Sequence, residues 1–106
     1  MVIPDTGPLV ALFDSSEPAH ETCKETLQAI DDDLVTSWSV LTEAFYELED
    51  WKTGQANLWN FIMARAVQSY EIQPLHCGRL EELMRKYSDR SVGLADVAIV
   101  LIANLL

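Results

Sequence analysis

Three carboxylates lie in segments that could together bind a metal ion. Asp5 directly follows the apolar run "VIP" and precedes Thr6, at a point where a strand would pass into a helix. Glu43 lies in "LTEAF", and Asp96 interrupts "VGLADVAIVLIANLL", which is otherwise without charge. Carboxylate oxygens are ligands that Mg²⁺ and Mn²⁺ prefer, and gathered carboxylates without a cation would repel one another. If the three converge, they favour metal-assisted hydrolysis of a phosphodiester.

Each acidic position also has an ordinary structural interpretation. Aspartate is a favoured helix cap, so Asp5 could simply cap the helix that begins near Pro8. Glu43 falls away from the apolar stripe of its helix, as a solvated carboxylate would. Asp89, in "YSDRS", is by position a turn residue. For Asp96, the helix macrodipole explains why a charge is tolerated, but the apolar neighbours favour a functional carboxylate.

The elements that would position these residues alternate along the chain. Short apolar runs predict three strands, "MVI", "LVTS" and "YEIQPL", although Pro4 would remove one ladder donor beside the first. In the second predicted helix, Ser16 is the expected N-cap and Pro18 lies in the first turn. Strands that alternate with amphipathic helices predict an α/β fold around a parallel sheet. Helical spacing of apolar residues predicts helices in "PLVALF", "SSEPAHETCKETLQAI", "VLTEAFYELEDW", "NLWNFIMARAV", "GRLEELMRKY" and "GLADVAIVLIANLL".

Length and charge limit the classes of function. With 106 residues the chain is expected to form one domain, and it contains no internal repeat or low-complexity tract. The net charge of −10 argues against a broad, sequence-independent grip on nucleic acid. A nuclease remains compatible with that charge, because a bound cation would attract the phosphate. An acidic surface equally suits a basic protein partner.

Cysteine usage and hydropathy predict the compartment. Cys23 and Cys77 lie far apart without a CxxC pair, and no charged-then-apolar leader opens the chain. The longest apolar stretch, "VAIVLIANLL", is too short to span a bilayer. We therefore expect a cytoplasmic protein with reduced thiols and no membrane segment.

Three segments, in order, carry a resemblance to a known family. "VIPDTGPLVALFD", "VTSWSVLTEAFYEL" and "YSDRSVGLADVAIVLIA" resemble the three signature blocks of the PIN-domain ribonucleases. The group that they resemble most is the toxin nuclease of VapBC-type toxin–antitoxin pairs. The resemblance implies a three-layer α/β/α PIN-like sandwich with a short parallel sheet, spanning residues 1–106 as a single domain. It also implies an endoribonuclease that depends on Mg²⁺ or Mn²⁺, with single-stranded or loop RNA as substrate and an antitoxin protein as partner.

The resemblance assigns roles to individual residues. Asp5 matches the first-strand carboxylate, Glu43 the helix carboxylate and Asp96 the buried-helix carboxylate of the family's metal site. Thr6 matches the hydroxyl residue that often follows the first aspartate and orients ligands or water. Asp89 matches an acidic position upstream of the last helix and would act from outside the metal's own ligands.

The chain departs from the family pattern at its end. Family members usually continue into another strand whose aspartate completes an acidic quartet, whereas this sequence stops at Leu106. We therefore expect a shortened sandwich that lacks the usual last strands. Its metal site would be incomplete unless Asp89, Asp14 or another subunit compensates. Uncovered apolar surface and a free sheet edge would favour a homodimer.

Two other functions are compatible with the residues. A shortened PIN-like domain could have lost catalysis and serve as an interaction or dimerisation module. An aspartyl phosphatase fits less well, because that chemistry needs a second aspartate two residues after the nucleophile and position 7 is glycine.

Overall fold

A computed structural model describes residues 1–90 and 92–106. Within them, helices surround a short parallel sheet. In chain order the elements are α1 (Thr6–Phe13), α2 (His20–Ala29), β1 (Val35–Thr36), α3 (Trp38–Glu47), α4 (Lys52–Met63), β2 (Gln68–Ser69), a 3-10 turn (Pro74–His76), α5 (Cys77–Lys86) and α6 (Leu94–Leu105).

The sheet is parallel and short. β1 pairs in parallel with β2, and Val2 forms a single parallel bridge with Leu34 on the other side of β1. Pro4 has no N–H to donate, and its carbonyl accepts a hydrogen bond from the Thr36 hydroxyl at 3.2 Å. The predicted strand "MVI" is therefore present only as one bridge, which agrees with the limit that Pro4 sets on its pairing.

The third strand was predicted in the wrong place. β2 ends at Ser69, and pairing continues only through the N–H of Tyr70, which donates to the Thr36 carbonyl at 2.7 Å. Pro74 starts the 3-10 turn instead of ending a strand. The physical reason is local capping. The Gln73 N–H donates to Nδ1 of His76 at 3.0 Å, so this N–H is used within the turn and does not pair with a neighbouring strand.

Helix α2 begins later than expected. Its N-cap is Ala19, and Ser16 instead donates from its N–H and hydroxyl to Asp14, at 3.0 and 2.6 Å. The predicted Ser16 cap is therefore wrong, because a nearer acceptor binds that side chain. None of the α2 residues is buried. The helix lies on the surface against α1. Its half-buried residues Cys23 and Leu27 line a groove between the two helices.

Two apolar clusters form the core, and α6 contributes to both. Ala95 belongs to the larger cluster, and Val97 and Leu101 belong to the smaller one with α5. An apolar helix between two clusters explains why "GLADVAIVLIANLL" lacks a polar stripe, as expected of a helix buried on most sides. The larger cluster joins α1, α3, α4 and the start of α6 through buried Leu9, Val10, Val40, Leu41, Ala44, Leu48, Leu58 and Ala95.

Across residues 1–90 and 92–106, no helix is both long enough and apolar enough to cross a membrane.

Candidate active site

Asp5 lies at the junction between the first strand segment and α1. It is the N-cap of α1, and its Oδ1 accepts a hydrogen bond from the Thr6 N–H at 2.7 Å. The side chain is exposed, so no buried cation is needed to compensate its charge. Asp5 is therefore a helix cap, as one interpretation of the sequence predicted. Its exposed side chain is also accessible to a ligand.

Thr6 connects Asp5 to α3. Its side chain is buried, and its hydroxyl donates to Oε2 of Glu43 at 3.1 Å. Thr6 thus donates to both carboxylates, through its backbone N–H to one and through its hydroxyl to the other. Glu43 is exposed, as its place on the helical wheel predicted, but it is not an isolated surface charge. A residue 37 positions away in sequence orients it.

Asp96 lies in the first turn of α6, and one of its oxygens, Oδ2, accepts from the Gly93 N–H at 2.9 Å. The helix is buried, but Asp96 itself is exposed, which corrects the expectation that its charge lies among apolar neighbours. The preceding residue, Ala95, is buried in the same cluster as Leu9 and Leu41. The start of α6 therefore belongs to the same apolar cluster as α1 and α3, the two helices that carry the other carboxylates, and α6 packs against α3.

The donor chemistry of these residues fits a hard cation, since every side-chain donor is a carboxylate or hydroxyl oxygen. Their exposure would let Mg²⁺ keep several waters, as it usually does. However, within residues 1–90 and 92–106 no three His, Cys, Asp or Glu side chains lie close enough to hold one ion jointly. The structure brings Asp5 and Glu43 together through Thr6, and it leaves Asp96 outside that hydrogen-bonded set.

Neither residue expected to compensate for a fourth carboxylate joins a group of three potential metal ligands in residues 1–90 and 92–106. Asp14 caps the opposite end of α1 from Asp5, nine positions along the chain or about 13 Å along a helix axis. Hydrogen bonds from the Ser16 hydroxyl and N–H hold the pKa of Asp14 below its usual range, so this carboxylate is engaged in its own loop. Asp89 is exposed in the turn after α5.

A groove that the sequence did not reveal lies beyond the carboxyl ends of β1 and β2, where open parallel sheets commonly bind ligands. It has a volume of about 310 Å³. From sequence, the lining residues were considered only as parts of predicted strands and helices. The signal that could have found the groove is Trp38, an aromatic residue two positions after the end of β1. The lining residues are Ser37, Trp38, Ser39, Tyr70, Glu71, Ile72, Leu80, Leu94 and Ala98.

Comparison with known proteins agrees with this architecture. Residues 2–105 match the family model of the PIN domain. The chain belongs to the PIN-domain family. It is 31% identical to ribonuclease VapC26 of Mycobacterium tuberculosis (strain ATCC 25618 / H37Rv), over 97% of this chain and 78% of the relative. The resemblance to VapC-type proteins that the three signature segments indicated is therefore confirmed.

A solved structure gives the same result for the fold. The crystal structure of Mycobacterium tuberculosis VapC20, a toxin that cleaves the sarcin–ricin loop, superposes with a TM-score of 0.85. The match covers 99% of this chain and 82% of VapC20, at 17% sequence identity. The predicted PIN-like α/β fold with a short parallel sheet is confirmed.

Proposed function

We propose that the protein is a metal-dependent endoribonuclease that hydrolyses RNA phosphodiesters, and that residues 1–106 act as one PIN domain. The observation that carries the proposal is the double donation by Thr6 to Asp5 and Glu43 in a chain of this family. The relatives support it, since one is named a ribonuclease and the other a toxin that cleaves the sarcin–ricin loop. By the same reasoning the protein is the toxin of a toxin–antitoxin pair.

In this proposal Asp5 and Glu43, which Thr6 brings together, would hold Mg²⁺ or Mn²⁺ directly, and Asp96 would reach the ion through bound water. When bound, such an ion lowers the pKa of a bound water and stabilises charge on the phosphate oxygens. Thr6 fixes the position of Glu43 through its hydroxyl, and α1 fixes Asp5 through the cap. Asp89 would influence the site from outside the ligand set.

The decisive experiment is an RNA cleavage assay on the purified chain with a mixed single-stranded substrate. We expect products with Mg²⁺ or Mn²⁺ and none when EDTA removes the ion. Cleavage that persists in EDTA would exclude the proposed metal dependence. No cleavage under any metal condition would reject the nuclease.

One observation favours a second candidate function. Because no three acidic, His or Cys side chains converge in the described part of the chain, a catalytically impaired interaction or dimerisation module also fits. The RNA cleavage assay distinguishes the two functions, because a folded but catalytically impaired module would leave the RNA intact.

Replacing Thr6 by Val tests the orienting hydrogen bond. Val has a similar shape but no hydroxyl, so Glu43 would lose its donor while the core stays filled. Loss of a residue that orients a metal ligand typically costs about 10- to 100-fold in activity or metal affinity, and we expect kcat/KM to fall in that range. Thr6→Ser, which keeps the hydroxyl, is the control and should retain most activity. Equal rates for both variants would contradict the orienting role of Thr6.

We also propose a cytoplasmic homodimer that binds a basic antitoxin. The net charge of −10 complements a basic partner.

Self-association is supported by large apolar side chains on α3 and α4. Among them, Tyr46, Trp59 and Met63 are exposed at 71%, 46% and 69%. Sedimentation velocity at tens of micromolar should show a dimer, since modest hydrophobic interfaces with micromolar Kd associate there. A strict monomer at that concentration would reject self-association.

A further inference from the structure

The groove at the ends of β1 and β2 is lined in part by α3, the helix that carries Glu43. We propose that it is a subsite in which Trp38 stacks on one unpaired base of the RNA, next to the phosphodiester that is cut. This inference rests on the proposed nuclease function and adds a specificity-determining residue to it.

The shape of the groove suits one flat ring system. Its volume of about 310 Å³ is at the lower end of the range for small-molecule pockets, about 300–1,000 Å³. The floor of the groove is apolar and contains the buried residues Leu80 and Ala98. Trp38 and Leu94 line it with half of each side chain exposed, at 50% and 51%. An aromatic face at the mouth of an apolar groove is the arrangement on which bases stack.

The groove and Glu43 lie along the same side of α3. Ser39 lines the groove and precedes Glu43 by four residues of α3, so both lie on one side of that helix about 6 Å apart along the axis. Leu94 and Ala98 line the groove from one side of α6, and Asp96, two residues from each, lies on the other side of that helix. A nucleotide whose phosphate lies at Glu43 can therefore place an adjacent base in the groove.

The chemistry of the lining favours a base over a phosphate or a protein. Among the described residues that line the groove none is Lys or Arg, and the Glu71 carboxylate would repel a phosphate. The same carboxylate can accept a hydrogen bond from an exocyclic amine, as that of cytosine. A partner helix, about 10–12 Å in diameter, is too wide for this volume. A protein could insert only a single side chain.

The first test measures base binding without cleavage. A short cytosine oligomer with an uncharged morpholino backbone cannot be hydrolysed at phosphodiesters and does not interact with the metal ion. The chain has three tryptophans, and their exposures are similar, at 50% for Trp38, 44% for Trp51 and 46% for Trp59. Their three indole N–H signals in an NMR spectrum, assigned by Trp→Phe variants, therefore provide internal controls. We expect a saturable shift of the Trp38 signal alone.

Three results of that titration would overturn the inference. Equal shifts of all three indoles, or none, would show that no base occupies the groove. A Trp38 shift that follows protein dilution instead of oligomer addition would show that another copy of the chain covers it.

The second test uses cleavage kinetics. Stacking on one aromatic side chain should make Trp38→Ala roughly tenfold weaker in kcat/KM, mainly through a higher KM, whereas Trp38→Phe keeps most activity. Leu75→Ala is the control, because Leu75 is an exposed apolar residue that does not line the groove and is not part of the surface proposed for the dimer. Equal loss in Trp38→Ala and Leu75→Ala would overturn the subsite. If the wild-type chain does not cut RNA, the nuclease function fails, and the indole titration still decides whether the groove binds a base.

Discussion

Replacing Asp5 by Asn is expected to lower metal-dependent RNA cleavage by roughly a hundredfold or more while the protein stays folded. Asn is as good an N-cap as Asp, so α1 keeps the acceptor for the Thr6 N–H. What is lost is one negative charge and one strong oxygen ligand at the proposed ion site. The measurement is initial cleavage rate in Mg²⁺, with circular dichroism to show unchanged folding.

The chain offers a matched control at the other end of the same helix. Asp14 caps the C-terminal end of α1 and lies outside the proposed site. Its carboxylate accepts hydrogen bonds from the N–H and hydroxyl of Ser16. Asp14→Asn should therefore leave cleavage unchanged. Calorimetric titration with Mg²⁺ or Mn²⁺ should show weakened binding in Asp5→Asn and in Asp96→Asn. Unchanged binding in both would mean that the two residues are helix caps only.

Replacing Gly54 by Ala is expected to destabilise the fold by about 1–3 kcal/mol, the usual range for overpacking. An added Cβ would lie 2.5 Å from the backbone oxygen of Phe13 and would also overlap the ring of Trp51. The Phe13 carbonyl belongs to α1, so α4 would have to move away from it. Helix propensity alone predicts the opposite sign, since Ala is favoured over Gly in a helix by about 0.5–1 kcal/mol.

The Gly78→Ala variant separates the effect of overpacking from the effect of helix propensity. Gly78 lies in the first turn of α5, as Gly54 does in α4, but a Cβ added at Gly78 would meet no atom within 4 Å. This variant should be neutral or slightly more stable in thermal unfolding. If Gly54→Ala melts as high as Gly78→Ala, α4 does not pack closely on α1.

The helices could be predicted from sequence because their signals are local. The apolar stripe of α3 and the uninterrupted apolar composition of α6 both reflect neighbours in the chain, and both helices formed, although α3 begins two residues earlier and ends four residues earlier than the predicted segment. Errors arose where two local signals compete. Ser16 has the side chain of a cap but is bound to Asp14, and Tyr70 and Ile72 alternate as in a strand although their segment leads into a turn.

The candidate site was predictable only in part. Position alone put Asp5 before α1 and Asp96 in the first turn of α6, because helix starts carry their own sequence signals. The contact between Thr6 and Glu43 joins residues 37 apart, and no local pattern encodes it. The groove at Trp38 depends on how α3, β2, α5 and α6 meet, so it exists only in three dimensions.

The exposed position of α2 has a consequence for how the molecule opens. A helix without a buried residue contributes little to the global free energy of unfolding, so it can detach as a separate unit at low cost. Its amides would then exchange with solvent well before those of α6, which lies between two apolar clusters. The residues proposed for catalysis are held by α1, α3 and α6, which the apolar clusters join, so we expect the amides of these helices to exchange later than those of α2.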